Sequence, residues 1–200
     1  MIKAAIFGYG TVGSGVYEVL TRNCAMIQGK LGDRIEVKYV LDLREFPGDP
    51  VQDVLVHDVN TILDDEEVSI ICETMGGEKP AYDFTRRALE LGKSVCTSNK
   101  ELVEKHGAEL LKIAQEHHCS YLFEASVGGG IPIIRPLCTS LAQEHIESIT
   151  GILNGTTNYI LSKMENEGAD FETVLKRAQE KGYAERNPEA DVCGYDAGRK

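Results

Sequence analysis

Gly8, Gly10 and Gly13, near the start of the chain, are spaced as in sites that bind a dinucleotide. An apolar run, Ile2 to Phe7, precedes these glycines and an amphipathic segment follows them, an order typical of strand, tight turn and helix. Gly8 permits the turn, Gly10 lets the backbone approach a pyrophosphate, and Gly13 lets the helix pack tightly on the strand. The pattern therefore predicts nucleotide binding, with the phosphates facing N–H groups at the helix start. Its alternative is a glycine turn that only packs a strand against a helix.

Two charged residues follow the second apolar run, Ile35 to Leu41. Asp42 ends that run, and an acidic side chain at this point of a dinucleotide-binding domain accepts a hydrogen bond from the 2′-hydroxyl of the adenosine ribose. Arg44 follows closely and is able to bind a 2′-phosphate instead. The sequence leaves open whether the cofactor is NAD or NADP.

The last part of the sequence, residues 183–200, is dense in polar and charged side chains and is predicted to have little regular structure. Loops of this composition are frequent functional sites. Asp196 and Lys200 are spaced i, i+4, and the alternative to a functional pair is an ordinary surface ion pair that contributes about a few tenths of a kcal/mol. The residues on which the prediction of a site depends are Glu185, Pro188, Asp191, Gly194, Asp196 and Lys200.

Alternating strands and helices must position these residues, and the alternation predicts an α/β fold with a Rossmann-type, doubly wound parallel sheet and right-handed crossovers. Thr74 to Gly77 and Ser98 to Lys100 each follow a strand, at the edge where open α/β sheets bind ligands. A short strand and turn are expected within 58–63. The other predicted strands are Ile2–Phe7, Ile35–Leu41, Val68–Cys72, Ser94–Thr97 and Ser120–Phe123, and the predicted helices are Thr11–Gln28, Pro80–Leu91 and Glu101–His118.

The pattern changes after Glu124, where a glycine-rich hinge, residues 124–132, leads into a predicted helix that includes Leu137 and Leu141. We expect a nucleotide-binding domain at residues 1–130. Residues 131–200 are expected to begin an incomplete α+β domain for substrate binding and dimerisation. Its predicted elements are a strand at Ile146–Leu153, a turn and N-cap at Asn154–Thr157, and helices at Asn158–Glu167 and Phe171–Lys181.

Composition excludes several classes of function. The chain has 200 residues, 42% of them hydrophobic, and a formal net charge of −11 from 32 acidic and 21 basic side chains. This charge argues against nucleic acid or an anionic membrane as the main partner. No apolar stretch is long enough to span a membrane and no signal-peptide pattern is present, so a cytoplasmic location is predicted. The six cysteines are scattered, without spacing that predicts a metal site.

Six motifs, in order along the whole chain, resemble those of homoserine dehydrogenases: GYGTVGSG, ETMGG, TSNK, EASVGGGIPII, LNGTTNYIL and GYAERNPEADVCGYDAGRK. This ordered set is far more specific than the glycine pattern alone. The resemblance implies a homodimeric enzyme that uses NAD(P)H to reduce aspartate 4-semialdehyde to homoserine, reversibly, in the biosynthesis of threonine and methionine. The substrate comes from the resemblance and not from the spacing of residues.

The resemblance also implies roles for individual residues. It places Thr74 and Lys100 near the nicotinamide end of the cofactor, and it makes Glu185 and Asp196 the partners of the substrate's amino group. Lys200 matches the acid–base lysine, and Lys100 shares its task by position and charge. Such a lysine is chemically suited to the reaction because the developing alkoxide needs a cation or proton donor. The resemblance makes the pyrophosphate turn out of Gly8, Gly10, Thr11, Val12 and Gly13.

A monovalent cation, sodium or potassium, is implied by the same resemblance. Carbonyl oxygens suit hard cations, and glycines let several of them point inward. The alternative is that these glycines serve only as a hinge. The main-chain carbonyls that the resemblance assigns to the cation are those of Glu124, Val127, Gly129 and Ile131.

Two features depart from the family pattern. Glu185-Arg186-Asn187-Pro188 stands where the family reads Glu-Pro-Asp-Pro, so a proline and a carboxylate beside the glutamate are lost, which changes loop rigidity and local charge. Family members also continue beyond the position of Lys200. We therefore expect this chain to be a fragment, complete in the nucleotide-binding domain and unfinished in the substrate domain.

Two other functions are compatible with the sequence. One is an NAD(P)-binding module without catalysis, made so by the missing part of the substrate domain. The other is an oxidoreductase similar to aspartate-semialdehyde dehydrogenase, which requires a cysteine nucleophile partnered by a histidine. None of the six cysteines lies in a motif that resembles that family.

Overall fold

A parallel sheet of six strands forms the centre of the first of two compact units. The computed structural model describes all 200 residues and divides them into Met1–Ser140 and Leu141–Lys200, here called the first and second units. The strand order is β3-β2-β1-β4-β5-β6, which confirms the predicted Rossmann-type sheet. The strands are β1 (Ile2–Phe7), β2 (Ile35–Leu41), β3 (Leu55–Val56), β4 (Val68–Glu73), β5 (Ser94–Thr97) and β6 (Tyr121–Leu122).

The helices of the first unit connect these strands. They are α1 (Thr11–Arg22), α2 (Cys24–Leu31), α3 (Asn60–Leu63), α4 (Ala81–Glu90), α5 (Lys100–Glu116) and α6 (Glu124–Val127), with a 3₁₀ turn at Pro50–Val54. Asn99 caps α5, because its side chain accepts a hydrogen bond from the Leu102 N–H. Gly32 and Gly92, which follow α2 and α4, have positive φ angles of 74°.

Two packed clusters cover the two faces of the sheet. Alternate residues of one strand point to opposite faces, so Phe7 and Ala5 of β1 belong to one cluster and Ile6 belongs to the other. The larger cluster includes Leu89 of α4 and Leu110 of α5. Full burial of a side chain as large as Phe or Leu stabilises the fold by about 1.5–3 kcal/mol. These contacts fix the strand ends that the candidate site uses.

Two local predictions for the first unit are wrong. The helix predicted to run unbroken from Thr11 to Gln28 divides at Asn23, whose φ and ψ of −98° and 14° fit neither helix, and α2 continues to Leu31. The short strand predicted within 58–63 lies earlier, at Leu55–Val56. Residues 60–63 form α3 instead, and the Asp58 carboxylate accepts the Asn60 N–H at 2.9 Å just before that helix.

The second unit consists of four helices: α7 (Gly155–Glu167), α8 (Phe171–Glu180), α9 (Glu189–Val192) and α10 (Tyr195–Arg199). Asn154 and Asp170 cap α7 and α8, accepting the N–H groups of Thr157 and Thr173 at 2.8 and 3.0 Å. The cap at Asn154 and the start of α8 at Phe171 are as predicted, whereas α7 begins at Gly155, three residues before the predicted Asn158. The small core is formed by Ile160, Val174, Ala178 and Ala184.

Three predictions for the chain after the last strand of the sheet are wrong. The strand predicted at Ile146–Leu153 does not form, because a strand needs a hydrogen-bonding partner and no other segment of the second unit is extended. Ile149 and Ile152 are 68% and 74% exposed there. The helix predicted through Leu137 and Leu141 is reduced to a π-helical turn at Pro136–Ser140. The last segment, predicted to be irregular, contains α9 and α10.

Candidate functional site

The glycine turn between β1 and α1 is as tight as its sequence predicts. Gly8 has a φ of +91°, and a Cβ there would crowd the main chain of Met75. At Gly13 a Cβ would overlap the carbonyl oxygen of Gly8, so α1 packs directly on the turn. A Cβ at Gly10 would meet nothing within 4 Å, so this side of the turn is open to a ligand.

The N-terminus of α1 is free to bind an anion. The first N–H groups of a helix have no partner within it, and here no side chain caps them and no acidic residue lies in the first turn. The Ser14 N–H is bonded to the Gly10 carbonyl at 2.9 Å, which leaves the N–H groups of Thr11, Val12 and Gly13 directed out of the helix end. This arrangement fits a pyrophosphate.

A cleft of about 570 Å³ lies at the carboxyl ends of β1, β2 and β4. The sheet order changes direction between β1 and β4, and open α/β sheets bind ligands in the crevice at that point. Five of the predicted cofactor residues line the cleft: Gly8, Gly10, Asp42, Arg44 and Thr74. The other four, Thr11, Val12, Gly13 and Lys100, are not among its lining residues. The remaining lining residues are Tyr9, Leu41, Leu43, His57, Val59, Met75, Pro80 and Phe84.

Asp42 and Arg44 are paired with each other in this cleft. The Arg44 Nε and Nη2 atoms donate to the two Asp42 carboxylate oxygens at 2.9 and 2.8 Å, and Nη2 also donates to the Tyr9 carbonyl at 3.0 Å. The Arg44 guanidinium holds the pKa of the Asp42 carboxyl well below its usual range. The Asp42 side chain is 10% exposed and that of Arg44 61%, so the cation of the pair faces solvent.

His57 lies beside this pair. Its Nδ1 is 2.6 Å from the Asp42 carbonyl oxygen and its Nε2 is 2.8 Å from Oε1 of Glu45. Both contacts raise the pKa of His57 above its ordinary value, and the contact with the Asp42 carbonyl is the larger cause. The sequence pattern did not single out His57, because the loop that contains it has no regular periodicity.

Thr74 and Lys100 follow neighbouring strands of the sheet. The Thr74 hydroxyl is within hydrogen-bond distance of the Phe7 and Gly8 carbonyls, at 2.9 and 3.0 Å, and so ties the end of β4 to the glycine turn. Lys100 is the first residue of α5 and is half-buried. Both therefore lie at the ligand-binding edge of the sheet, where the sequence predicts them.

A separate cleft of about 470 Å³ lies in the second unit and contains the predicted Asp196 and Lys200. The Lys200 ammonium is 3.0 Å from Oδ2 of Asp196 and donates to the Leu153 carbonyl at 2.7 Å. The Asn154 Nδ2 donates to Asp196 and to Asp191, each at 2.7 Å. Asp196 is 5% exposed, so the Lys200 ammonium balances the charge of a buried carboxylate and the Asn154 amide donates a hydrogen bond to it.

The other predicted substrate residue, Glu185, does not line this cleft. Its side chain is exposed, and only its main-chain carbonyl is bonded, to Nε2 of Gln179 at 3.1 Å. Asn154 and Asp191 do line the cleft. The sequence named Asp191 among the polar residues of the last segment without giving it a role, and it did not identify Asn154 as a site residue. The signal at Asn154 was the N-cap motif, which gives no indication that the same side chain binds two carboxylates.

The segment predicted to bind a cation folds back on itself after α6. The Glu124 carboxylate accepts the N–H groups of Ile133, Ile134 and Arg135 at 2.6, 2.8 and 2.7 Å, which lowers the pKa of Glu124. A Cβ at Gly128 would lie 2.6 Å from the Ile131 carbonyl oxygen, so only glycine fits there. The Glu124 carbonyl accepts the Gly128 N–H at 3.1 Å.

The cysteines and histidines form no other reactive centre. No group of three or more metal-binding side chains is present. The thiols of Cys72 and Cys96 are 3.4 Å apart on β4 and β5. Cys119 follows His118 in the chain, but its thiol contacts the Leu89 carbonyl, so the hydrogen bonds of these three thiols do not involve a histidine. This arrangement argues against the alternative that requires a cysteine nucleophile. No helix is long and apolar enough to cross a membrane.

Comparison with known proteins relates both units to a single kind of enzyme. Residues 8–124 match the family model for the NAD binding domain of homoserine dehydrogenase, and residues 132–200 match the model for homoserine dehydrogenase itself. A homoserine dehydrogenase from Synechocystis sp. is 46% identical over 205 residues, which cover 100% of this chain and 46% of the relative. The chain thus spans about half the length of the curated relatives it matches.

Solved structures give the same relationship for the fold. A homoserine dehydrogenase from Thiobacillus denitrificans matches 100% of this chain and 47% of its own, with 40% identity and a TM-score of 0.89. A hyperthermophilic archaeal homoserine dehydrogenase in complex with NADPH matches 100% of this chain and 67% of its own, with 26% identity and a TM-score of 0.85.

Proposed function

The chain belongs to the homoserine dehydrogenase family, and from this premise we propose that it provides the NAD(P) site and part of the substrate site of an enzyme that reversibly reduces aspartate 4-semialdehyde to homoserine. One observation carries the proposal: an open, glycine-lined helix N-terminus lies at the switch point of the sheet, beside a cleft that has room for a ligand.

The cofactor's pyrophosphate fits the turn between β1 and α1. Gly8 and Gly13 bring α1 close to β1, and Gly10 leaves the approach open. The N–H groups of Thr11, Val12 and Gly13 would then donate to the phosphate oxygens, with the helix dipole adding to the attraction. Neutral main-chain donors explain how a chain with a net charge of −11 holds a polyanion.

The adenosine end is suited to a 2′-phosphate. Asp42 at the end of β2 would repel a phosphate if it stood alone. Arg44 neutralises it through two hydrogen bonds and leaves an exposed guanidinium in the same cleft. We therefore include NADP among the cofactors of this site, and NAD remains the other.

Lys200 is the proposed proton donor and Asp196 its partner. When bound, the nicotinamide supplies the hydride or accepts it. The oxygen of the reacting carbon gains negative charge as the hydride arrives, and the Lys200 ammonium supplies the proton or positive charge that this oxygen requires. The ion pair with Asp196 at 3.0 Å holds the Lys200 side chain in place. Lys100 shares the acid–base role in the proposal. Asp196 binds the substrate's ammonium group, and Glu185 is given the same role on likeness to the family alone, because its side chain does not line the cleft.

Two further parts of the proposal depend on likeness to the family. The first is a sodium or potassium ion on the carbonyls of Glu124, Val127, Gly129 and Ile131, which the tight, side-chain-free approach of Gly128 to Ile131 supports. The second is a homodimer.

The proposed ion is tested by measuring activity after sodium and potassium are replaced with tetramethylammonium. Activity should fall if a small cation is required.

The test of the reaction is homoserine-dependent reduction of NAD⁺ or NADP⁺ by the protein that carries this sequence, followed through the absorbance of the reduced nicotinamide. We expect turnover that requires homoserine. Absence of turnover in a protein that still binds the cofactor by calorimetry would favour the second candidate, a binding module without catalysis.

A further inference from the structure

One carboxylate, that of Glu73, is completely buried at the ligand-binding edge of the sheet. Glu73 is the last residue of β4, and its neighbours across the two adjoining strands are Phe7 and Thr97. Its relative exposure is 0%. Burial raises the pKa of Glu73, while hydrogen bonds from Thr97 and from the main chain act in the opposite direction. A group this costly to bury requires hydrogen-bond donors around it.

The donors come from the loops that follow two different strands. The Met75 N–H, in the loop after β4, donates to Oε1 of Glu73 at 2.8 Å. The Thr97 hydroxyl, at the end of β5, donates to Oε2 at 2.5 Å. The same hydroxyl accepts the Asn99 N–H at 2.9 Å. One carboxylate therefore holds both loops.

Asn99 continues this network to α5. Its Nδ2 donates to the Gly77 carbonyl at 2.6 Å, which joins the two loops a second time. Its Oδ1 accepts the Leu102 N–H at 3.1 Å and so caps α5. Lys100, the first residue of that helix, is thus placed by contacts that begin at Glu73.

The two loops lie on the half of the sheet that receives the nicotinamide. In a doubly wound sheet each half binds one mononucleotide, and the acidic residue that marks the adenosine half follows β2. That residue here is Asp42, so β4 and β5 belong to the other half. Thr74 and Met75, in the loop that Glu73 holds, line the cleft directly.

We propose that Glu73 is a positioning residue for the nicotinamide half of the cofactor: its buried carboxylate fixes the loops after β4 and β5, and through them Thr74 and Lys100. This inference rests on the proposed function, since it assumes that a dinucleotide occupies the cleft. A residue that only stabilised the fold would affect both halves of the cofactor equally. A positioning residue affects one half.

The experiment compares two ligands by calorimetry: NADPH, and 2′-phospho-ADP-ribose, which lacks the nicotinamide. Glu73→Gln keeps the shape and removes the charge. We expect it to weaken NADPH binding about tenfold, since hydrogen bonds to a charged group are lost. Binding of 2′-phospho-ADP-ribose should change by less than about twofold, and the melting temperature should fall by only a few degrees or less.

Two further variants keep the test decisive. Thr97→Val removes the donor to Oε2 while leaving Glu73 in place, and it should give the same selective loss if Glu73→Gln does not fold. Glu78→Gln is the matched control, because Glu78 lies in the same region but its carboxylate pairs with Lys105 at 2.7 Å and is partly exposed. It should alter the affinity for neither ligand.

The other outcomes of this experiment separate an error in the role of Glu73 from an error in the proposed function. Suppose that wild-type protein binds NADPH but that Glu73→Gln weakens the binding of both ligands equally, or of neither. This result would overturn the role of Glu73 and leave the proposed function intact. Wild-type protein that binds neither ligand would overturn the proposed function, and the inference with it.

Discussion

The candidate sites of the two units are formed by different kinds of groups. The site of the first unit is made by main chain: a glycine turn, strand ends and the N-terminus of α1, all fixed by the sheet and its core. The site of the second unit is made by side chains, with Asp191 and Asp196 on α9 and α10, which have only four and five residues. Helices this short do not persist alone. The contacts of Asn154 and Lys200 must therefore hold the second site together.

This contrast assigns different tasks to the two sites. Main-chain N–H groups bind a phosphate but do not transfer protons, whereas a lysine beside a carboxylate is able to do so. Variants in the first unit should therefore change cofactor affinity, and variants in the second should change turnover.

The largest expected effect is that of Lys200→Ala on turnover. Loss of a positioned general acid typically lowers kcat by about 10²- to 10⁴-fold. Affinity for NADP⁺, measured by calorimetry, should stay nearly unchanged, because the cofactor site belongs to the first unit. Lys181→Ala, at an exposed lysine after α8, is the control and should leave kcat unaltered. An equal loss of turnover and cofactor affinity would remove the distinction between the two sites.

The next effect is that of Gly13→Ala on cofactor affinity. The added methyl group would overlap the Gly8 carbonyl and lie 2.8 Å from the Thr74 hydroxyl, so α1 must shift. We expect about 1–3 kcal/mol of destabilisation and clearly weaker binding of NADPH. Gly15→Ala is the matched control on the same helix, since its Cβ would meet nothing within 4 Å. It should leave affinity unchanged and stabilise the helix by up to about 1 kcal/mol.

Denaturant unfolding and calorimetry measure both quantities. If both alanine variants bind NADPH as well as wild type does, the tight approach of α1 to the glycine turn is not what binds the pyrophosphate.

A smaller effect is expected from Arg44→Ala, which should discriminate between cofactors. It removes the exposed guanidinium and leaves Asp42 unneutralised, so NADP⁺ binding should weaken about tenfold. NAD⁺ binding should be equal or stronger, because Asp42 becomes available to the ribose hydroxyl. Arg22→Ala provides an exposed arginine control outside the cleft. Equal effects on the two cofactors would show that Arg44 does not face the 2′ position.

The smallest effect concerns acid stability. The folded pKa of Asp42 is below its ordinary value of 3.8, so the carboxylate contributes stability above that value and loses it as the pH falls through the folded pKa. The difference in unfolding free energy between wild type and Asp42→Asn should thus be constant from neutral to weakly acidic solution. It should narrow only in strong acid. Urea unfolding over a pH series measures it, and narrowing near neutral pH would contradict the Asp42–Arg44 pairing.

The first unit was largely predictable from sequence because its signals are local. The apolar strands and the glycine turn after β1 each follow from nearby residues, and together they indicate a sheet that binds nucleotide at its carboxyl edge. What the sequence could not predict was the contact between Asp42 and Arg44. Either residue alone indicates a different cofactor, and only the geometry shows that one neutralises the other.

The second unit was less predictable because its contacts are distant in sequence. Asn154 donates a hydrogen bond to Asp196, 42 positions away in the sequence, and no periodicity of the sequence predicts such a hydrogen bond. The apolar alternation at Ile146–Leu153 is a real strand signal, yet a strand depends on a partner and none is present in this unit. Asp196 and Lys200 were placed on the site by resemblance, and the i, i+4 spacing alone fitted a surface pair equally well.

A crystal structure of this protein with NADPH bound tests the central statement most directly. We expect pyrophosphate oxygens within hydrogen-bond distance of the N–H groups of Thr11, Val12 and Gly13, with the 2′-phosphate at Arg44. A pyrophosphate bound elsewhere, or a cleft closed by neighbouring side chains, would contradict it.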